Sequence, residues 1–394
     1  MKFRTPVALA VAGAALVLVT YTAQAQKRSP KKAAVKTAVT SVAASAVTQP
    51  GTPLPGMPPV LDPNDIYAAN HAGKLADAVK GFPALVYVPN SRSDTVDVID
   101  QKTFKIVGHF PSGGHEPQHV VPSWDMKKLW VINDLGDTAT DIDPATGKRG
   151  TTIPVKDPYN MYYTPDGKFA IVVEEREKKL GFLDPQTMKV VQTLPVDCPG
   201  IDHMDFTADG RYLIASCEFS SQVIKIDVEK RTILGYLKFQ KGGMPQDVKT
   251  APDGKVFYVA DMMANGIHLV DPNTFTKIGF IATGKGAHGL YVSRDSKVLY
   301  VSNRGEGSVT VLDLATRKIL TKWQIPGGGS PDMGGVSADG KQLWLAGRYD
   351  AEIYVFDTVN GKLLARIPVG KGPHGLCVYP QPGRYSLGHT GVFR

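Results

Sequence analysis

Cysteine is scarce: the 394 residues hold three, Cys198, Cys217 and Cys377. That is too few for a disulfide-framed small domain, and no C-x-x-C-H run is present to attach haem covalently. A phosphate-cradling glycine loop and a G-x-S-x-G nucleophile elbow are also missing, so no familiar catalytic signature fixes a reaction. Beyond the first twenty residues no apolar run is long enough to cross a bilayer. No cysteine follows that first run, which argues against a lipid-anchored lipoprotein. Sustained helical periodicity is absent from the body of the chain.

What stands at the front is a leader. Lys2 and Arg4 precede an apolar run from Val7 to Val19, and Ala23-Gln24-Ala25 is a small-residue pattern of the kind cleaved by signal peptidases. The expectation is a signal peptide over 1–25 and an exported protein, periplasmic or secreted, with no transmembrane segment after cleavage. Residues 26–62 are rich in Ala, Lys, Thr, Ser and Pro without a period, which predicts a disordered basic linker. A short helical lead-in is expected over 63–81, a propeller over 82–380 and a tail over 381–394.

The formal net charge of +8 is unevenly placed. Two positive charges sit in the leader and five at Lys27, Arg28, Lys31, Lys32 and Lys36, which leaves a single net positive charge for the rest. A nearly neutral body offers little electrostatic grip on phosphate backbones, so nucleic acid is not expected as a partner.

The body is written in one rhythm. A strand ends in aspartate at Asp100, Asp143, Asp184, Asp227, Asp271, Asp313 and Asp357, with spacings of 41 to 44 residues. A second marker keeps the beat at Gln118, Tyr159, Asp202, Gln246, His288, Asp332 and His374, seven residues before the turn aspartate of "TPDG", "TADG", "APDG" and "SADG" or its counterpart. Each unit reads as four short strands divided by turn residues. Seven such units predict an all-β, seven-bladed β-propeller, because one twisted sheet buries both faces only when neighbours stack around an axis. The first unit begins at a second strand and the chain ends soon after a first strand. The last blade is therefore expected to combine three strands from the N-terminal side with an innermost strand from the C-terminus.

Tyr87-Val88-Pro89-Asn90, Tyr258-Val259-Ala260-Asp261 and Tyr300-Val301-Ser302-Asn303 each precede a turn and a "TVDVID"-like strand. In these the chain resembles the YVTN (YncE-like) family of β-propeller repeats over roughly residues 82–380. It is more distantly similar to the haem d1 propeller of cytochrome cd1 nitrite reductase and to the propeller lactonases. The resemblance implies the fold; activity must come from the site.

Strand parity puts two sets of loops on one face and leaves "PDG"-type turns on the other. The first face collects His115, His119, His203, His288 and His374 as candidate metal ligands. It also collects Glu175, Arg176, Gln246, Asp247, Asp261, Arg304 and Arg348 as candidate ligand-binding residues, with Asp134 and Glu218 beside them. Arg304 and Arg348 follow equivalent strands in adjacent blades and are placed to grip one carboxylate or phosphate. His115-Glu116-Pro117-Gln118-His119 fits H-E-x-x-H, yet Pro117 forbids the helix that a zinc protease needs. Cys198 and Cys217 have two readings, a disulfide or, with His203 and Met204, soft ligands for copper. Cys377 reads as buried packing. Met161, Met262, Met263 and Met333 lie near the same rim as gap fillers. His389 joins the cluster only if the tail doubles back.

These features predict a monomeric binding propeller. Its His-rich funnel takes a divalent or copper ion, or a small anionic or haem-like ligand. Two alternatives differ in class: a scaffold docking an envelope protein, and a metal-dependent lactonase or lyase drawing on Glu175, Glu218, Asp247 and Asp261.

Overall fold

The computed structural model describes residues 52–389 and 391–394; the leader and most of the linker lie outside the described residues. The seven-beat aspartates explain themselves first. Each ends a third strand, and its carboxylate accepts backbone N–H groups two or three residues on. Examples are Asp100 from Thr103 at 2.7 Å, Asp271 from Asn273 at 2.7 Å and Asp357 from Val359 at 2.8 Å. These are Asx turns that reverse the chain into the outer strand.

The strands assemble into seven four-stranded antiparallel sheets. Blade 1 has the order Cys377–Tyr379, Leu85–Asn90, Thr95–Asp100, Ile106–Pro111. Leu85 pairs with Tyr379 and Tyr87 with Cys377, so the two ends of the propeller zip into one sheet. Blades 2 to 7 occupy 117–154, 158–195, 201–238, 245–282, 287–324 and 331–368.

Burial follows position in the blade. Inner strands such as Ile201–Phe206 are buried at every residue, whereas the outer strand Val190–Pro195 alternates between exposed and partly exposed. The core lies between sheets: Leu180 and Phe182 of blade 3, for instance, share one cluster with Phe206, Leu213 and Ile224 of blade 4. No helix among the described residues is long and apolar enough to cross a membrane.

Two flanking segments differ from the sequence expectation, and a third, the tail, takes one of the paths left open. The linker expected over 26–62 is ordered at its end: Leu54 is buried and bonds the Asp209 carbonyl at 2.8 Å, and Pro59 accepts from Arg384. Proline-rich chain can pack as extended backbone against a preformed surface, which composition alone does not reveal. The 63–81 segment makes two three-residue 3-10 turns, Ala68–Asn70 and Asp77–Val79, instead of a helix. The tail doubles back and threads the channel. Tyr163 N–H bonds the Leu387 carbonyl and His389 N–H the Met161 carbonyl, each at 3.0 Å, while Arg394 pairs with Asp205 at 2.8 Å.

Candidate functional site

The inner strands share an irregularity that builds the site. In blades 2 to 7 each loses register with its neighbour just after its first residue, as between Ile201 and Met204 or Ala287 and Leu290. A bulge of this kind re-aims side chains. Here the second residue of each of these strands, and in blades 2 to 4 the third as well, serve the channel, in two tiers. The upper tier is the set seen as the second sequence marker: Gln118, Tyr159, Asp202, Gln246, His288, Asp332 and His374. The lower tier includes His119, Asn160 and His203.

Five imidazoles meet there: His119, His203, His288, His374 and, from the tail, His389, all at most 3 % exposed. Ring centroids lie 4.7 Å apart for His203 and His389, 4.8 Å for His119 and His374, and 5.5 Å for His119 and His203. Burial pushes His119 down to about 4, and the other four well below the ordinary imidazole value. The rings are thus neutral at neutral pH, the form that binds metals.

Two triads stand out. His119, His203 and His389 bring one ligand atom each within 4.8 Å of one another, and so do His288, Asp332 and His374. They differ in how far their polar atoms are already used. In the second, Asp332 bonds Arg304 Nη1 at 3.1 Å and faces His288 Nδ1 at 3.0 Å, so a cation there competes with a guanidinium. In the first, His119 Nδ1 donates to the Tyr159 carbonyl at 2.9 Å, which fixes the tautomer with the Nε2 lone pair free. That Nε2, His203 Nε2 and both Asp202 oxygens are buried without a hydrogen bond. Asp202 Oδ1 lies 3.2 Å from His203 Nε2 but out of line for a bond.

Above the imidazoles opens a cavity of about 250 Å³ lined by Arg92, Tyr159, Glu175, Glu218, Phe219, Gln246, His288, Arg304, Arg348, Tyr349 and His374. Burial, then the neighbouring Glu218, push the Glu175 carboxyl up to about 8, and burial raises Glu218 as well. Arg304 lies over the Tyr349 ring at 5.5 Å and Arg348 bonds Ser91 Oγ at 3.0 Å.

Several residues expected at the site stand elsewhere. His115 is 64 % exposed and pairs with Asp94 at 2.8 Å on the outer rim. Arg176 is spent on Asp157 at 2.5 Å and Asp137 at 3.1 Å. Asp247 accepts from the backbone of Val248 and Leu290, and Asp261 from Met244 and Ala264 plus His268 at 3.1 Å. The four carboxylates considered for a lactonase-type centre therefore do not converge. Cys198 and Cys217 form a disulfide that leaves neither sulfur as a thiolate, and the H-E-x-x-H segment runs into the strand Pro117–Pro122. Cys377 is buried and unpaired. Met333 Sδ touches His288 Nδ1 at 3.1 Å and Met262 Sδ touches Arg304 at 2.7 Å. Residues the sequence did not single out for binding are Arg92, Tyr349, Phe219 and Asn160. Tyr159 and Asp202 had shown themselves only as beats of the repeat.

Comparison with known proteins agrees with the propeller fold. The chain is 25 % identical over 224 residues to the YncE protein of Salmonella typhi, covering 51 % of this chain and 60 % of that one. It is 26 % identical over 201 residues to antigen Lp49 of Leptospira interrogans, covering 45 % and 42 %. The chain thus spans about half the length of the curated relatives it matches. Among solved structures it superposes on the dihydro-haem d1 dehydrogenase NirN with a TM-score of 0.58 at 17 % identity, over 82 % of this chain and 83 % of that one. That likeness is one of fold. The YNCE-like beta-propeller profile matches residues 56–383, and the chain belongs to that family.

Proposed function

We propose that this is a binding propeller whose channel holds a transition-metal ion between His119, His203 and His389, with Asp202 alongside, and that a small ligand reaches the ion through the mouth. One observation carries the reading: His119 Nε2 and His203 Nε2, buried without a hydrogen bond, converge with His389 beside the Asp202 carboxyl. Each such group costs roughly 1–3 kcal/mol when left unsatisfied in an interior, and an ion would remove several of these costs together. Three imidazoles and one carboxylate, with no thiolate, suit zinc, copper or another borderline ion better than calcium or magnesium. For tetrahedral zinc at about 2.1 Å, ligand nitrogens stand about 3.4 Å apart, so the triad would close by about 1 Å.

The mouth is small for the haem-like alternative. A volume of about 250 Å³ falls under the roughly 300–1,000 Å³ of pockets for drug-sized ligands. The leader supports export to the periplasm or beyond.

The test is metal analysis of untagged protein, followed by titration of chelator-treated protein with copper and zinc. One equivalent bound, a rise in unfolding temperature, and loss of both in His119→Ala and His203→Ala are expected. No bound metal and no thermal response would end the reading. A stoichiometric partner that co-purifies regardless of metal would favour protein docking instead.

A further inference from the structure

The mouth has a division of charge that a metal ion beneath it does not use. Around the ring, blades 3 and 4 supply Glu175 and Glu218, while blades 6, 7 and 1 supply Arg304, Arg348 and Arg92. All five line the same cavity. One wall is thus acidic and the other basic, and neither glutamate forms an ion pair among the described residues.

The basic wall is built in advance. Arg304 is held by Asp332 at 3.1 Å and by the Tyr349 ring, and Arg348 by Ser91. A single Asp332 stands against two guanidiniums, which leaves positive charge for a ligand. On the acidic wall burial favours the protonated carboxyls, reinforced at Glu175 by Glu218 and opposed at Glu218 by Gln246 and the arginines, a state that a cationic group between them would reverse.

We propose that this cavity binds a small zwitterion of amino-acid size, its carboxylate against Arg304 and Arg348 and its ammonium between Glu175 and Glu218. A plain anion would leave the two glutamates unpaired and a plain cation would be repelled by the arginines, so opposite charges on one molecule are what satisfies both walls. The volume equals about eight waters at about 30 Å³ each, room for a free amino acid and not for a peptide of several residues. Tyr159, Phe219 and Tyr349 offer ring surface to its side chain. The inference does not depend on a metal ion lying below.

The experiment uses chelator-treated protein, because α-amino acids themselves coordinate metals through amine and carboxylate. Each of the common α-amino acids is screened by thermal shift, and the strongest is titrated by calorimetry beside its amide, which lacks the carboxylate, and its 2-hydroxy acid, which lacks the ammonium. At least one amino acid is expected to bind, with both analogues about tenfold weaker or worse. Glu175→Gln should weaken the amino acid about tenfold and leave the hydroxy acid unchanged or tighter, and Arg348→Gln should weaken both. No response to any amino acid, or a hydroxy acid bound as tightly as its amino acid, would overturn the proposal. The metal titration is read separately, so either reading can fail alone.

Discussion

Gly375 has no room for a side chain. A Cβ there would sit 2.0 Å from His119 Cδ2, because Gly375 N–H bonds the Gln118 carbonyl of the next blade and the Gly375 carbonyl accepts from Val120 N–H. At the equivalent Gly289 a Cβ would meet the Tyr291 hydroxyl at 2.5 Å and the Asp332 carbonyl at 3.0 Å. In His288-Gly289-Leu290 and His374-Gly375-Leu376, the same three residues at equivalent places, histidine faces the channel and glycine lets the neighbouring blade come close. Asn160 plays a different part: its amide donates to Nδ1 of both His203 at 3.2 Å and His389 at 3.0 Å, the wrong direction for ligation through Nε2. Asn160→Asp would accept from those nitrogens instead, as in carboxylate–histidine–metal relays. Its affinity for zinc is expected to rise about tenfold in calorimetry while the metal-free protein loses stability; a fall in affinity would refute the tautomer argument. Glu175 gives a pH signature. Its carboxyl titrates near 4.5 when unperturbed and at about 8 in the fold. Between those values the unfolded chain sheds a proton that the folded protein keeps, so this residue lowers stability as pH rises through the window, with no further change above it. Glu175→Gln should therefore match the parent at pH 4 and exceed it at pH 9 by a few kcal/mol, at about 1.4 kcal/mol per unit. Urea unfolding at both pH values checks this, and a gap independent of pH would contradict it.

At the scale of elements, legibility follows periodicity. His119, His203, His288 and His374 could be found because strand starts recur on a fixed beat, and side chains on that beat share the channel. Arg176, Asp247 and Asp261 looked equivalent by the same rule, yet local backbone N–H groups or neighbouring aspartates consume them, and those partners are set by loop geometry that the beat does not encode. His389 was illegible for another reason: the tail's path depends on contacts with blades 2 and 3, some two hundred residues away. The tail is a strap of two arms, joined by Leu387 N–H to Val392 and Arg394 N–H to Tyr385, and stacked through Tyr385 on Trp124. The disulfide works nearby. It ties the loop before Ile201–Phe206 to the end of Tyr212–Cys217 across 19 residues, beside His203. A loop of that size implies a loss of about 3 kcal/mol in Cys217→Ser, measurable by denaturant unfolding. A loss under 1 kcal/mol would show that the blade is held by packing alone.

For the whole molecule the fold was legible almost entirely, since spacing, turn aspartates and the incomplete first and last units all encode a closed ring. At the closing blade residues 377 to 379 pair with 85 to 87, and beside them Ser91 and Arg92 N–H groups bond the Gly372 and Lys371 carbonyls. Blades 1 and 7 also share a packed boundary, Val86, Val88 and Ile99 against Trp344, Ile353 and Val355; without the closing strand the ring would lose the backbone part of its seam, and stability would move toward a sum of neighbour terms. Tryptophans mark both sides of the ring: Trp124 and Trp130 in blade 2, Trp323 and Trp344 in blades 6 and 7. Circular dichroism and tryptophan fluorescence are expected to report one shared unfolding midpoint for residues 52–394. After removal of 376–394 the midpoints should separate; continued coincidence would mean that closure does not govern cooperativity. The same seam sets a schedule. Because the triad draws on positions 119, 203 and 389, a translating ribosome must release the chain past residue 389 before the three imidazoles can meet. Until then the growing chain carries an unpaired inner edge on its first blade, the interval in which a chaperone has most to protect.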